Sequence, residues 1–167
     1  MQPGDALNVV AQVAVTLAGF AGIVVVFRPQ SVHQWSALDK FRLRLLLANS
    51  ALPLAFSLFG MLLLTIDPPP LGIWRWCSGV AVITQFAFFM TIRGATRQIP
   101  KAEFQAATNR LYYSVSALAA IAMVLQLINV ALWNRFWPFF FGLFVHLIAA
   151  VTQFIRMVLL APQNGER

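Results

Sequence analysis

Five long apolar blocks divide the chain and are separated by short polar segments. The blocks run over residues 6–27, 42–66, 72–92, 111–133 and 137–160. Each approaches the ~20 residues that a helix needs to cross a ~30 Å hydrocarbon core, and apolar residues fill whole blocks, not one stripe. The pattern predicts an all-α polytopic membrane helical bundle with five transmembrane helices, forming a single transmembrane domain over residues 1–167.

The composition supports this interpretation. Hydrophobic residues make up 60% of the chain and charged residues only 10%, which is too little charge to cover a soluble domain. The leader MQPGD has no basic residue, so we interpret the first block as a retained span and not as a signal peptide. The one cysteine, Cys77, has no partner for an internal disulfide.

The net charge of +7 favours a membrane surface over nucleic acid, because the basic residues flank the blocks. Their distribution predicts that the N-terminus lies outside and the C-terminus in the cytoplasm. Four tryptophans fall at the opposite, outer ends of the spans and form a predicted interfacial belt: Trp74, Trp76, Trp133 and Trp137. The side chains expected at anionic lipid headgroups are Lys40, Arg42, Arg44, Arg93, Arg97 and Lys101.

Two segments preceding spans carry helix-start signals. The sequence SALD at 36–39 fits a capping box that begins with Ser36. Pro100 suits the first turn of a helix over residues 101–110 that leads into the fourth span. Both would place basic helices at the membrane surface.

Sparse internal similarity suggests a duplication. Residues 44–52 resemble residues 110–118 at an offset of 66, and AVITQF at 81–86 resembles AAVTQF at 149–154 at an offset of 68. A true repeat would give one helix followed by two hairpins in the same orientation, related by a pseudo-two-fold axis along the membrane normal.

The sequence lacks the residues that several kinds of catalytic or metal site require. The apolar blocks hold no Asp, Glu or Lys, HExxH is missing, and the two histidines, His33 and His146, do not suffice for a typical zinc site. No local motif presents a serine as a nucleophile. We therefore expect no enzymatic activity, no catalytic residue, no metal and no cofactor.

Every span nevertheless carries hydrogen-bonding side chains. One interpretation is that they bond between helices, and the other is that they line a hydrated path. Small residues on the first span predict close packing against a partner helix, at Ala11, Ala14, Ala18 and Gly22. The polar candidates for a pore or an interhelical stripe are Asn8, Gln12, Thr16, Asn49, Ser78, Gln85, Gln126, Asn129, His146 and Gln153.

His146 is the one ionisable side chain among these candidates. It lies seven residues before Gln153, so the two share a helix face. Under the offset of 68, Ser78 and Gln85 are their counterparts. A neutral imidazole both donates and accepts, so His146 either bridges two helices or meets its copies in an oligomer as a proton relay.

The stretch LAGFAGIVVVFR, followed by WSALDKFRLRLLLANS, resembles a group of small bacterial integral membrane proteins of unassigned function. The likeness covers roughly the N-terminal third. It implies a location in the bacterial cytoplasmic (inner) membrane, and it carries over no activity or functional residue.

From these features we predict a non-enzymatic multi-pass membrane protein that acts as an oligomeric scaffold or accessory subunit. Its expected partners are membrane lipids and a second copy or another membrane protein, and no nucleic acid. The alternative is a passive channel or small-solute and proton pathway lined by the intramembrane amides and His146.

Overall fold

The computed structural model of the protein describes residues 2–27, 31–97, 99–100 and 110–159. Over these ranges the secondary structure is helical, with no strand. Five long helices follow one another: α1 (Pro3–Phe27), α2 (Ala37–Leu64), α3 (Ile73–Thr96), α4 (Arg110–Ile128) and α5 (Phe136–Leu159). A short 3-10 helix, Val32–Gln34, precedes α2, and a π-helical turn, Asn129–Trp133, extends α4. The predicted all-α bundle is confirmed.

All five helices are long and apolar enough to cross a membrane. Large apolar side chains such as Val26, Ile83 and Val158 are exposed on the outside of the bundle, where water would be a poor solvent for them. The protein is therefore an integral, multi-pass membrane protein.

The cap of α2 was predicted correctly. Ser36 lies just before α2, and its side chain accepts a hydrogen bond of 3.1 Å from the backbone N–H of Asp39. This bond satisfies one of the free N–H groups at the start of the helix. The helix expected over residues 101–110 falls almost wholly on residues 101–109, which lie outside those that the structure describes.

Helices α2 to α5 pack in chain order around a ring, and α5 closes it against α2. Helix α1 lies outside this ring and packs along α2 and α5. Ala11 and Ala14 of its small-residue stripe are buried within the chain, Ala18 is half-buried and Gly22 is exposed. The stripe expected to receive a partner helix therefore packs largely inside the protein, because small side chains let α1 approach the bundle closely.

Two apolar clusters fill the interior. The basic-end cluster lies near the end of the bundle where α1 ends and α2 begins, and consists of Leu17, Ala21, Val24, Trp35, Leu43, Leu46, Ala150 and Met157. The tryptophan-end cluster lies near the opposite end, where α3 and α5 begin, and consists of Leu7, Val10, Phe56, Cys77, Ala81, Phe139 and Leu143. Helices α1, α2 and α5 contribute to both, whereas α3 contributes only to the second.

Burial along α3 and α4 follows the same division. The buried residues of α3 are Cys77, Ser78 and Ala81, all within its first nine residues. Among the described side chains of α4, the first buried one is Ala122. Among the described residues, the hairpin formed by α3 and α4 thus buries more side chains at the tryptophan end than at the basic end.

Candidate functional site

The polar side chains of α1 lie on its outer face. Asn8, Gln12 and Thr16 are exposed and point away from α2 and α5. Gln12 Nε2 donates to Asn8 Oδ1 at 3.4 Å, and Thr16 Oγ1 donates to the backbone oxygen of Gln12 at 2.9 Å. These bonds run along one helix, so the stripe joins no other helix among the described residues. Its capacity for a further hydrogen bond faces outward.

His146 bridges two helices. Its Nδ1 lies 2.9 Å from Oδ1 of Asn49, which places α5 against α2. The Asn49 Nδ2 group donates to the backbone oxygen of Leu45 at 2.8 Å. Since the amide oxygen of Asn49 can only accept, the proton of this contact lies on His146 Nδ1. The ring of Phe56 approaches that of His146, with 6.2 Å between centroids.

Asn129 forms a second interhelical contact at the tryptophan end. It is fully buried in the π-helical turn. Its Nδ2 donates to Ser78 Oγ at 2.8 Å and lies 3.3 Å from the backbone oxygen of Trp74. Its Oδ1 accepts from the backbone N–H of Arg135 at 2.8 Å. One amide therefore joins α3, the end of α4 and the approach to α5.

The turn after Asn129 is closed by another asparagine. Asn134 has φ of 50°, a left-handed conformation that asparagine tolerates better than most residues. Its Oδ1 lies 3.3 Å from the backbone nitrogen of Arg75, and the Arg75 guanidinium lies 3.4 Å from the backbone oxygen of Leu132. The start of α3 is thereby tied to the connection between α4 and α5.

Gln126 packs into a gap left by a glycine. Its side chain is buried and lies directly over Gly142, in the space that a Cβ atom there would occupy. Helices α4 and α5 therefore meet closely at this level. Within the described part of the chain, Oε1 of Gln126 has no hydrogen-bond partner.

The two remaining polar candidates differ in burial. Gln153 is buried on α5, and its Oε1 has no hydrogen-bond partner among the described residues. Gln85 is half-buried on α3. His146 and Gln153 both lie on the inner side of α5, so the expected shared face is present and does not point to lipid.

The proposed correspondence between His146 and Ser78 does not extend to their partners. His146 bonds to Asn49 on α2, and Ser78 bonds to Asn129 at the end of α4. Asn49 and Asn129 are related by neither the offset of 66 nor that of 68. The duplication itself stays a prediction.

The basic side chains divide into exposed and buried sets. Arg42 is buried on α2, with only 8% of its surface exposed, and its Nη1 lies 3.4 Å from Oδ1 of Asp39. Arg156, near the end of α5, is equally buried at 7%. Of the remaining headgroup candidates, Lys101 lies outside the described residues, and the exposed ones are Lys40, Arg44, Arg93 and Arg97.

Sequence reasoning did not select Arg156 as a candidate. The signal available was its position at the end of an apolar block, which it shares with Arg93. That position is typical of a side chain that extends to the headgroups. Nothing in the block indicated that Arg156 would be buried.

The described polar candidates do not form one continuous line through the bundle. They form separate contacts on the outer face of α1, between α2 and α5, and around Asn129. Between the last two, the tryptophan-end cluster fills the interior with side chains such as Phe56, Phe139 and Leu143. A groove of about 450 Å³ between α1 and α5 is lined by Thr152 and otherwise by apolar residues such as Val13 and Phe144.

Several of these contacts join helices. His146 and Asn129 connect helices, and Gln126 lies between α4 and α5. The outer face of α1 carries amides with bonding capacity left over. Comparisons with known proteins add no analogy to this geometry: no family model, no curated protein and no solved structure matches the chain.

Proposed function

We propose that the protein is a non-enzymatic scaffold or accessory subunit of the bacterial inner membrane, with its N-terminus outside, that assembles with a second copy through the outer face of α1. The observation that carries the proposal is the exposure of Asn8 and Gln12 within an apolar helix of 25 residues. The hydrogen bond between their side chains is long, at 3.4 Å.

Amides on a lipid-facing surface have a physical cost. Lipid tails supply no hydrogen-bond donor or acceptor, so an amide exposed to them loses the bonds that water would provide. A neighbouring helix that carries amides at the same depth restores those bonds. The stripe therefore favours a protein partner over lipid.

The same face also permits close approach. Gly19 and Gly22 are exposed on α1, and a Cβ added at either would meet no atom within 4 Å. Exposed glycines let a second helix approach to backbone distance, as in other helix pairs in membranes.

A second copy of the protein is the simplest partner that fits these features of α1. A two-fold axis along the membrane normal puts the same residues of both copies at the same depth. Asn8 then faces Asn8 or Gln12 of its copy, and each amide can both donate and accept. The interface is self-complementary without any change of register.

The association state in a bilayer tests the proposal. Subunit counting of the protein in liposomes, at a range of protein densities, should give a dimer that weakens in the double variant Asn8→Leu, Gln12→Leu by about 3- to 30-fold. Gln85→Leu is the matched control, because it removes an amide from α3 and should leave the dimer intact. A wild-type protein that stays monomeric at all densities contradicts self-assembly.

Cross-linking provides the geometric check. The native Cys77 is buried, so a cysteine introduced at position 12 reports on α1 alone. Gln12→Cys should form a disulfide between copies under mild oxidation. Val13→Cys, which faces the groove beside α5, should not.

The channel alternative makes a different prediction. A conducting path would need to pass the tryptophan-end cluster, whose members are apolar. We therefore expect liposomes that contain the protein to leak protons no faster than empty liposomes between about pH 5 and pH 8. A leak that His146→Ala removes, with the fold and the dimer unchanged, would support the channel instead.

A further inference from the structure

A groove runs along the outside of the bundle between α1 and α5. It has a volume of about 450 Å³, and its lining is apolar apart from the hydroxyl of Thr152. Val9 and Val13 line it from α1, and Phe144 and Val151 line it from α5. These four apolar side chains are exposed on the outside of the bundle. The groove is therefore continuous with the surface that the protein presents to the bilayer.

The groove is long and has one closed end. Its lining on α5 extends from Phe140 to Thr152, which is about 18 Å at the helical rise of ~1.5 Å per residue. Just beyond Thr152, the rings of Phe20 on α1 and Phe154 on α5 stack with 5.2 Å between their centroids. The two helices thus meet at the basic end of the groove. Phe140 lies one turn after α5 begins, towards the tryptophan end.

Two inner side chains give the groove a firm floor. Val10 lines the groove and is a buried member of the tryptophan-end cluster. Leu147 also lines it and packs against both apolar clusters. Because a packed interior resists rearrangement, the groove cannot close by inward movement of its walls without displacing these side chains.

The shape and chemistry of the groove select its occupant. Water is disfavoured, because a bound water needs two to four polar partners and the one polar side chain of the lining is Thr152. The volume spread over the length gives a width of about 6 Å. A helix with its side chains is about 10 Å across and is too wide. A single hydrocarbon chain fits, since non-bonded carbon atoms approach to about 4 Å.

We propose that the groove binds one acyl chain of a bilayer lipid, which enters from the tryptophan end and places its terminal methyl group beside the stacked rings of Phe20 and Phe154. The uncharged lining matches the chain and not a headgroup. Without a chain, the lining would lose the dispersion contacts that a filled groove supplies. The site is separate from the outer face of α1 and does not depend on self-assembly.

Photo-crosslinking in a bilayer tests the site. The full-length protein is reconstituted in phosphatidylcholine vesicles that include a small fraction of phosphatidylcholine with a diazirine at the end of one acyl chain. After irradiation, the modified residues are identified by peptide mass spectrometry. We expect more adducts on Ile148 and Thr152 than on Ile121, an exposed residue of α4 outside the groove, by about 3- to 10-fold.

A second probe tests the direction of the chain. With the diazirine next to the ester group of the same acyl chain, adducts should move from Thr152 to Phe140, because the ester lies at the tryptophan end. The reverse order of the two probes along α5 would overturn the proposed entry.

Groove-filling variants show whether the labelling reports on the groove. Val151→Phe places a ring in the groove from α5 and should reduce the adducts on Ile148 and Thr152 to the level of Ile121. Val124→Phe is the matched control, because it adds the same ring to an exposed valine on α4. Val13→Phe fills the groove from α1 and replaces Val151→Phe if that protein does not fold by circular dichroism.

Three results contradict the proposal. Equal labelling of the groove and of Ile121 in the wild-type protein would mean that lipid contacts the two surfaces alike. Strong labelling that a folded groove-filling variant leaves unchanged would place the chain elsewhere. Loss of groove labelling as the protein density in the vesicles rises would show that a second copy fills the groove, which overturns the acyl-chain site and leaves self-assembly intact.

Discussion

The two ends of the bundle use polar side chains in opposite ways. At the tryptophan end, Asn129 is fully buried and bonds to three groups, among them Ser78 and the backbone of Arg135. At the basic end, Arg42 and Gln153 are buried too, yet each keeps a polar atom without a hydrogen-bond partner among the described residues. The first arrangement satisfies its buried polar atoms, and the second leaves some of them without a partner among the described residues.

The burial of side chains also differs between the two ends of the bundle. Helix α3 buries Cys77, Ser78 and Ala81 near its start, and the described part of α4 buries side chains only in its second half. The hairpin is therefore anchored where Asn129 lies and is less constrained towards the basic end. We infer that the tryptophan end contributes more to the stability of the hairpin than the basic end does.

Removal of Asn129 should produce the largest loss of stability. Asn129→Leu breaks its bonds to Ser78, Trp74 and Arg135 and leaves their polar groups unsatisfied in a buried site. We expect the free energy of unfolding to fall by about 3 kcal/mol. Titration with denaturing detergent in mixed micelles, followed by circular dichroism, measures it.

The control for this change is Gln12→Leu, which removes an exposed amide from α1. It should leave the unfolding free energy of the monomer within about 0.5 kcal/mol of the wild type. Equal effects of the two substitutions would mean that Asn129 does not hold the tryptophan end together.

Overpacking at Gly142 should have the next largest effect. The side chain of Gln126 occupies the place of a Cβ on Gly142, so Gly142→Ala must displace the buried amide end of Gln126. We expect a loss of about 2 kcal/mol in unfolding free energy. The second substitution Gln126→Ala makes room for the new methyl group, and the double variant should recover part of that loss; no recovery would contradict the close contact.

The bond between His146 and Asn49 joins α5 to α2 between the two ends of the bundle. It should contribute less to the unfolding free energy. A double-mutant cycle of His146→Ala and Asn49→Ala should give a coupling energy of about 1 kcal/mol in the unfolding free energy. The same cycle for His146→Ala and Ser78→Ala is the control. Ser78 bonds to Asn129 and not to His146, so that coupling should be close to zero.

Much of the fold was predictable from the sequence, because it depends on local properties. Block length and hydropathy determine five membrane-crossing helices, and the Ser36 cap depends on residues three positions apart. The polar residues within the spans were also evident as residue types. Their partners were not, since the contact of His146 with Asn49 depends on how two distant helices cross.

The orientation of α1 and the burial of the arginines were not predictable from the sequence for the same reason. The sequence held both a small-residue stripe and a polar stripe on α1, and periodicity alone does not decide which one faces the bundle. The structure buries Ala14 and exposes Gln12. Arg42 was expected at the lipid surface, because a charged residue near a span end usually extends outward, and only the packing of α2 against α5 places it inside.

The smallest expected effect gives the most direct comparison of the two ends. The same glycine-to-alanine substitution should change the unfolding free energy in opposite directions at two positions. Gly94 lies near the end of α3, is exposed, and has no atom within 4 Å of an added Cβ. Gly94→Ala should therefore raise the unfolding free energy by about 0.5 kcal/mol, since alanine loses less backbone entropy on forming a helix. Gly142→Ala should lower it, and both are measured in the same detergent titration. A loss of stability at Gly94 would show that α3 packs at the basic end as closely as at the tryptophan end, and the contrast between the two ends would then fail.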